Sequence, residues 1–514
     1  MYKMDKDILF HSGQIWTPDG IKNWMMIKKN MISEIGEGDF KDRFNGSKID
    51  LNGRLVLPGL HDAHIHNYSL GRLDWRVNLS GVKSIEEIQY KLKNYDLKSD
   101  INWIVGNGWD QDRFKENRYL IKDDIDEIIN DKPVILYRAC NHIATINSKA
   151  IEILGLNNMK KDPEGGKIDR NSDNEIMGIL REEALSLVTK HLEKQDMKMR
   201  TKYYKKGIER CVNSGLTAIH TNDASAWKYY YELAKNGELP LRVYLTMKYS
   251  DLDKEDYLPK YDEEVGLLKC KRVKLFADGS LGAETAKLRE NYDDLEHSGI
   301  MIENAEALEM KIRRIHELGY QLEIHAIGDK AIELVIESFE KVGLKKEDRA
   351  MITHCQVMAN DLISKMSQYG YIANIQPPFV PTDSMWVEKR LGLGERYRYS
   401  YAWKTLIDNG IIVTGGSDAP IENPSPFWGI YCAIMRPDFE GNIWRENECL
   451  DFETALEIYT ANSAYALREE NNLGILEKGY LADFIICDPM IMYNAERLNE
   501  SPLYEVWVDG KRRV

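Results

Sequence analysis

The residues of this chain best suited to metal chemistry are His64, His66, His325, His354 and Asp418. The first two end the run Leu55-Val-Leu-Pro-Gly-Leu-His-Asp-Ala-His-Ile-His66, an apolar strand turned at Pro58-Gly59. Side chains alternate across a strand, so His64 and His66 share one face and Ile65 takes the other. Two imidazoles placed in this way can hold one ion, although a bare His-x-His also occurs in ordinary surface loops. His325, His354 and Asp418 each close a further strand-like run: Tyr320-Gln-Leu-Glu-Ile-His325, Ala350-Met-Ile-Thr-His354 and Gly410-Ile-Ile-Val-Thr-Gly-Gly-Ser-Asp418. Four imidazoles and a carboxylate form the ligand set that a borderline-soft divalent ion such as zinc prefers. Taken singly, a buried histidine satisfied by a backbone carbonyl is the commoner case. Five such groups at strand ends argue for one shared site.

A site of this kind needs an element that gathers distant residues. Apolar strand-like runs alternate with helical patterns through the middle of the chain, the signature of βα units around a parallel sheet. The remaining runs are Gly215-Leu-Thr-Ala-Ile-His220, Leu241-Arg-Val-Tyr-Leu245, Arg272-Val-Lys-Leu-Phe-Ala-Asp278 and Tyr371-Ile-Ala-Asn-Ile-Gln376, with helical stretches at 197–213, 305–317 and 330–342. The expected fold is α/β, a (β/α)8 TIM barrel over residues 58–469, whose strand C-termini carry the active site. Residues 80–195 are left over between the first and second strands, too long for a loose loop and expected to form a lid or subdomain. Residues 1–57 and 470–514 read as short strands with tight turns. Each piece is too short to bury a core alone, so one small β-sandwich built from both termini is expected.

Composition excludes several other classes. The 514 residues carry a net charge of −14, against the surplus of Lys and Arg that general nucleic-acid binding requires. Seven scattered cysteines without Cys-x-x-Cys spacing suit a reducing cytoplasm and offer no disulfide framework. The N-terminal residues lack the layout of a signal peptide, and no apolar run reaches the ~18 residues of a membrane span. A cytoplasmic enzyme with a small-molecule substrate is expected, without nucleic-acid or membrane partners, and a homodimer is the base-rate assembly.

With His64-Ile-His66 after Leu-Pro-Gly, lone histidines after strands five and six, and Ser417-Asp418-Ala-Pro420 after strand eight, the chain resembles the amidohydrolase superfamily of metal-dependent hydrolases. Finer motifs resemble its YtcJ-like family 3, the branch that includes N-substituted formamide deformylase. These are Gly106-Asn-Gly-Trp-Asp110, Asn141-His-Ile-Ala-Thr-Ile-Asn-Ser148, Lys274-Leu-Phe-Ala-Asp-Gly-Ser-Leu-Gly282, His325-Ala-Ile-Gly-Asp329 and Gly415-Gly-Ser-Asp-Ala-Pro420. The resemblance spans essentially the whole chain. It implies that Lys274 is a carboxylated lysine bridging two ions, with His325 and His354 on one and His64, His66 and Asp418 on the other. An ammonium aimed at cations is unfavourable, so an inward Lys274 should be neutral, carbamylated or salt-bridged. If salt-bridged, it pairs with Asp278 or Glu284 and the site holds one ion.

The expected activity is hydrolysis of a non-peptide amide or formamide-like C–N bond by a hydroxide generated on the metal. Asp418 would act as general acid and base, and His220 would stabilise the oxyanion unless it only packs. Trp109, Asp110, His142, Asn147 and Asp278 are the expected substrate contacts, with Arg181 and Trp428 as weaker ones. A deaminase of the same superfamily ranks behind, because the glutamate of its His-x-x-Glu pattern is replaced by Gly328. A cyclic amide or urea hydrolase, a non-hydrolytic member and a silent binding barrel compete with it. The silent barrel should lack a ligand, and every matched ligand position is filled.

Overall fold

A computed structural model describes residues 7–38, 44–95, 103–159, 161–192, 197–254, 257–500 and 502–514. The N-terminal residues 1–6, where a leader would begin, lie outside it, as do parts of the expected terminal and insertion regions. Eight parallel strands form a nearly closed sheet, each bonded to the next in chain order. They are β1 (Leu60–Ile65), β2 (Leu216–Asn222), β3 (Arg242–Lys248), β4 (Leu268–Phe276), β5 (Gln321–Ala326), β6 (Met351–His354), β7 (Ile372–Ile375) and β8 (Val413–Gly415). A short strand, Glu264–Val265, lies antiparallel on β4. Residues of β2 and β5 are buried along their whole length, as a parallel sheet covered by helices demands. The helix Asp329–Val342 shows how that cover is made: Ile332, Val335, Ile336 and Phe339 recur at helical spacing, are buried, and join the barrel core.

The run expected to be one strand through Pro58 is two. Leu55–Pro58 pairs with Phe484–Cys487 in a separate sheet, and β1 starts only at Leu60. Gly59 makes the joint, because a Cβ there would lie 2.4 Å from Thr217 Oγ1. The separate sheet has eight strands drawn from both ends of the chain. Phe10, Phe484 and Trp507 meet at ring separations of 5.1–5.5 Å inside it. A third sheet of six strands is built from Val77–Asn78 and five strands of the insertion, with Ile104–Trp109, Val134–Arg138, Ile143–Ile146 and Ile176–Glu182 among them. Among the described residues no helix is long and apolar enough to cross a membrane.

The seam between β8 and β1 is stitched by the loop that follows β8. Asp418 N donates to His64 O at 2.8 Å, His66 N donates to Ala419 O at 2.9 Å, and Ser417 N donates to Asp62 Oδ1 at 3.1 Å. Gly416 permits this approach, since a Cβ there would stand 2.7 Å from His64 N.

Candidate active site

That seam draws the expected ligands together. His64, His354 and Asp418 each offer one ligand atom, all within 4.8 Å of one another. Asp418 Oδ1 lies 3.1 Å from His66 Nε2 and 3.4 Å from His64 Nε2, yet this buried oxygen has no properly directed hydrogen bond. The other nitrogen of each imidazole faces an oxygen. His64 Nδ1 meets Glu323 Oε1 at 2.7 Å, His66 Nδ1 meets Asn222 O at 2.8 Å, and His354 Nδ1 meets Gln376 Oε1 at 2.7 Å. His325 does the same through Nε2, which is 2.9 Å from Gly279 O. These oxygens can only accept, so the ring nitrogen facing each of them is the donor, and in the neutral ring the other nitrogen is left to bind an ion. Burial, the largest influence on both, holds His325 well below the ordinary imidazole range and brings His354 down to about 3. Imidazole nitrogens left over beside an orphaned carboxylate oxygen fit a divalent ion.

Lys274 stands on β4 with Nζ 3.0 Å from Glu323 Oε1. Its expected partners are otherwise engaged. Asp278 accepts amide hydrogens from Ile327, Gly328 and Lys287, and Glu284 pairs with Arg390 at 2.8 Å. Glu323 also accepts from Thr246 and Thr353. Burial opposes its charge, but the Lys274 ammonium and the His64 hydrogen bond hold it well below the usual carboxylate range. Sequence reasoning missed Glu323. Its only signal is position, two residues before His325 and therefore on the same strand face.

Above the cluster lies a cavity of about 560 Å³ between the barrel mouth and the insertion, touched by His325, His354 and Asp418. Two expected contacts, Asp110 and His142, line it. Asp110 is held by Arg138 at 2.6 Å. His142 Nδ1 is 2.7 Å from Glu182 Oε2, and its ring lies 5.6 Å from that of His325. Burial works against a charged His142, yet Glu182 raises it to about 9. Glu182 adopts φ 50° and ψ −125°, a strained backbone for a residue with a side chain, at the point where it grips His142. On the opposite wall, burial pushes Asp383 up to about 7 and Glu422 up to about 8, where hydroxyls of Tyr401 and Thr382 donate to them.

The remaining expected contacts lie outside this lining. Trp109 is wholly buried in the insertion core, with Nε1 on Leu136 O and its ring against Phe114. Asn147 caps the helix Ser148–Leu154, and Asp278 secures the turn after β5. Arg181 pairs with Asp169, and Trp428 stacks on Tyr431. These residues are polar or aromatic for structural reasons that spacing alone does not separate from binding. His220 sits inside the barrel away from the cavity lining, with Nε2 3.3 Å from His61 Nδ1 and Nδ1 3.3 Å from Arg272 Nη1. Burial and then Arg272 hold it neutral, in a packing role rather than one at the reacting oxygen.

Fold and site place the chain among metal-dependent hydrolases, and known proteins agree. It belongs to the amidohydrolase family, whose profile matches residues 48–514. It is 34% identical over 451 residues to the YtcJ amidohydrolase of Bacillus subtilis (strain 168), covering 85% of each chain. It is 22% identical over 492 residues to N-substituted formamide deformylase from Arthrobacter pascens, covering 90% of this chain and 89% of that one. A crystal structure of an uncharacterised metal-dependent hydrolase from Pyrococcus horikoshii OT3 superposes with a TM-score of 0.79 at 28% identity, over 96% of this chain and 99% of the other. The protein is thus a metal-dependent hydrolase acting on carbon–nitrogen bonds.

Proposed function

We propose that the protein hydrolyses a non-peptide amide or formamide-like bond at one zinc-type ion held by His64, His66 and Asp418, with His354 and His325 beside it. The observation that carries this reading is a set of four imidazoles, each with one nitrogen tied to an oxygen, of which His64 and His354 gather with Asp418, whose Oδ1 is buried without a directed hydrogen bond. When bound, such an ion supplies Lewis acidity and stabilises negative charge on oxygen. The Lys274–Glu323 pair supports one ion rather than a carboxylated lysine bridging two. Carbamylation would place a second anion about where the ammonium now sits, 3.0 Å from the buried carboxylate.

In this mechanism Asp418 takes a proton from the attacking water as its oxygen bonds to the carbonyl carbon. The C–N bond then breaks, and Asp418 returns the proton to the leaving nitrogen, so amide and water become carboxylic acid and amine. Burial opposes the charge of Asp418, but the adjoining His64 and His66 imidazoles keep it well below the usual carboxylate range, ionised and able to accept. His142, steered by Glu182, offers its remaining nitrogen to the substrate oxygen, and the insertion excludes bulk water. We assign no proton step to His220.

The same reading takes the parallel sheet as a (β/α)8 barrel over 58–469, carrying a lid at 80–195 and an accessory β-structure from 1–57 and 470–514. It also takes the protein as cytosolic, in keeping with seven cysteines that are all free. A screen of formamides and N-acyl amines with zinc-loaded protein tests the activity. Release of a primary amine and an acid supports it. Release of ammonia with a ring or carbonyl product would make the protein a deaminase instead.

A further inference from the structure

A chamber of about 260 Å³, walled in part by Arg76, Asn107 and Asn141, adjoins the cavity. Leu73, Gly108, Arg210 and Pro420 line both spaces, and Pro420 belongs to the loop that carries Asp418 into the larger one. The two asparagines belong to motifs singled out in the sequence that the metal site does not use. Asn107 Nδ2 donates to Asn141 Oδ1 at 2.8 Å, which leaves Asn107 Oδ1 facing the Nη1 of Arg76.

Arg76 is the anomaly. Its guanidinium lies over the Tyr137 ring, 5.4 Å from the centroid, and its Nε is sealed from solvent without an acceptor. Three buried or half-buried arginines nearby hold carboxylates, Arg138 with Asp110, Arg181 with Asp169 and Arg390 with Glu284, whereas Arg72 and Arg113 rest on rings. Among the described residues no carboxylate lies within ion-pair distance of Arg76. Asp74, the only carboxylate in the chamber lining, is already bonded to Arg210 and lies 3.9 Å from Lys206. Burial, and then neighbouring Arg72, bring Arg76 down to about 9, so its charge is held at a cost. A planar carboxylate would engage the guanidinium fork through two parallel hydrogen bonds and relieve that cost.

We propose that this chamber receives a carboxylate of the substrate, which makes amide acids of the N-acyl amino acid type the class hydrolysed. The proposal rests on the amide-hydrolase reading above and is tested separately from it by binding. N-benzoylglycine and its methyl ester are titrated calorimetrically into the metal-loaded protein at low temperature, with released glycine assayed in parallel. The acid should bind at least tenfold tighter than the ester, with an advantage that fades as salt is added. Arg76→Gln should abolish the difference, and Arg76→Lys should restore part of it. Equal binding of acid and ester to the unaltered protein overturns the proposal, and that comparison needs no variant. It is also overturned if the preference survives Arg76→Gln in a variant of unchanged melting temperature. Displacement by inorganic phosphate as effective as by the acid would show a general anion site and overturn the substrate assignment. The glycine assay fails or succeeds independently, so loss of the amidase reading is not mistaken for loss of this one.

Discussion

Lys274 and Glu323 are both fully buried, so each depends on the other for its charge. Removing one member of such a pair strands the other, at a cost of about 3–5 kcal/mol. Lys274→Met should therefore lower unfolding stability by about that amount in a urea titration. Glu323→Gln should strand the lysine at a similar cost and should also weaken the metal, because the same oxygen aligns His64 through Nδ1. Loss of such a ligand-orienting partner costs about 10–100-fold in metal affinity, measurable by chelator competition. Asp418→Asn should cut turnover by about 10²–10⁴-fold with circular dichroism unchanged. Near wild-type turnover would remove Asp418 from its role. Ligand residues at strand ends are legible in a sequence because the residue type and the apolar run before it travel together. Glu323 is not, since a glutamate inside a strand carries no mark of the histidine and lysine that will meet it.

Two elements hold the site in shape: the seam after β8 and the strand end at Glu182. A methyl group at Gly416 would stand 2.7 Å from His64 N, so Gly416→Ala must push the β8 loop away from β1. Overpacking of that kind costs about 1–3 kcal/mol. The variant should melt lower and, unlike a remote destabilising change, should also lose metal on dialysis. At the other element, Glu182 raises His142 to about 9 from an ordinary value near 6.5. A folded-state pKa raised in this way contributes stability that is complete below pH 6.5 and is lost as pH rises through about 9. Melting temperature against pH should show that decline in the unaltered protein. Glu182→Gln should flatten it, and an unchanged slope would mean that the pair does not couple to folding. The strands and helices here follow from period and turn chemistry, whereas the strained φ of Glu182 has no sequence signature. It exists only because the surrounding sheet fixes where that carboxylate must point.

At the scale of the molecule, the barrel mouth and the insertion enclose a cavity whose polar lining comes from residues hundreds of positions apart. An ion that binds only the folded chain adds stability by mass action, about 2.7 kcal/mol when free metal is a hundred times its Kd. Chelation should therefore lower the melting temperature, and zinc should restore it together with one equivalent of bound metal by elemental analysis. Two equivalents would refute the one-ion reading of Lys274. The sequence by itself determined the alternation of strand and helix, the presence of strands at both ends of the chain and in the insertion, and the residue types able to hold a metal, whereas the sandwich expected of the two ends is a separate eight-stranded sheet. Those determinations rest on local side-chain periodicity and on residue types that few other roles require. Only the tertiary structure decided that Glu323 answers Lys274, that His220 turns into the barrel core, that Trp109 and Asn147 serve the insertion's own packing, and that Arg76 is left without a counter-ion. Each of those outcomes depends on which distant charge or ring arrives beside a residue, and hydrophobic pattern sets the face a side chain takes without specifying its neighbour.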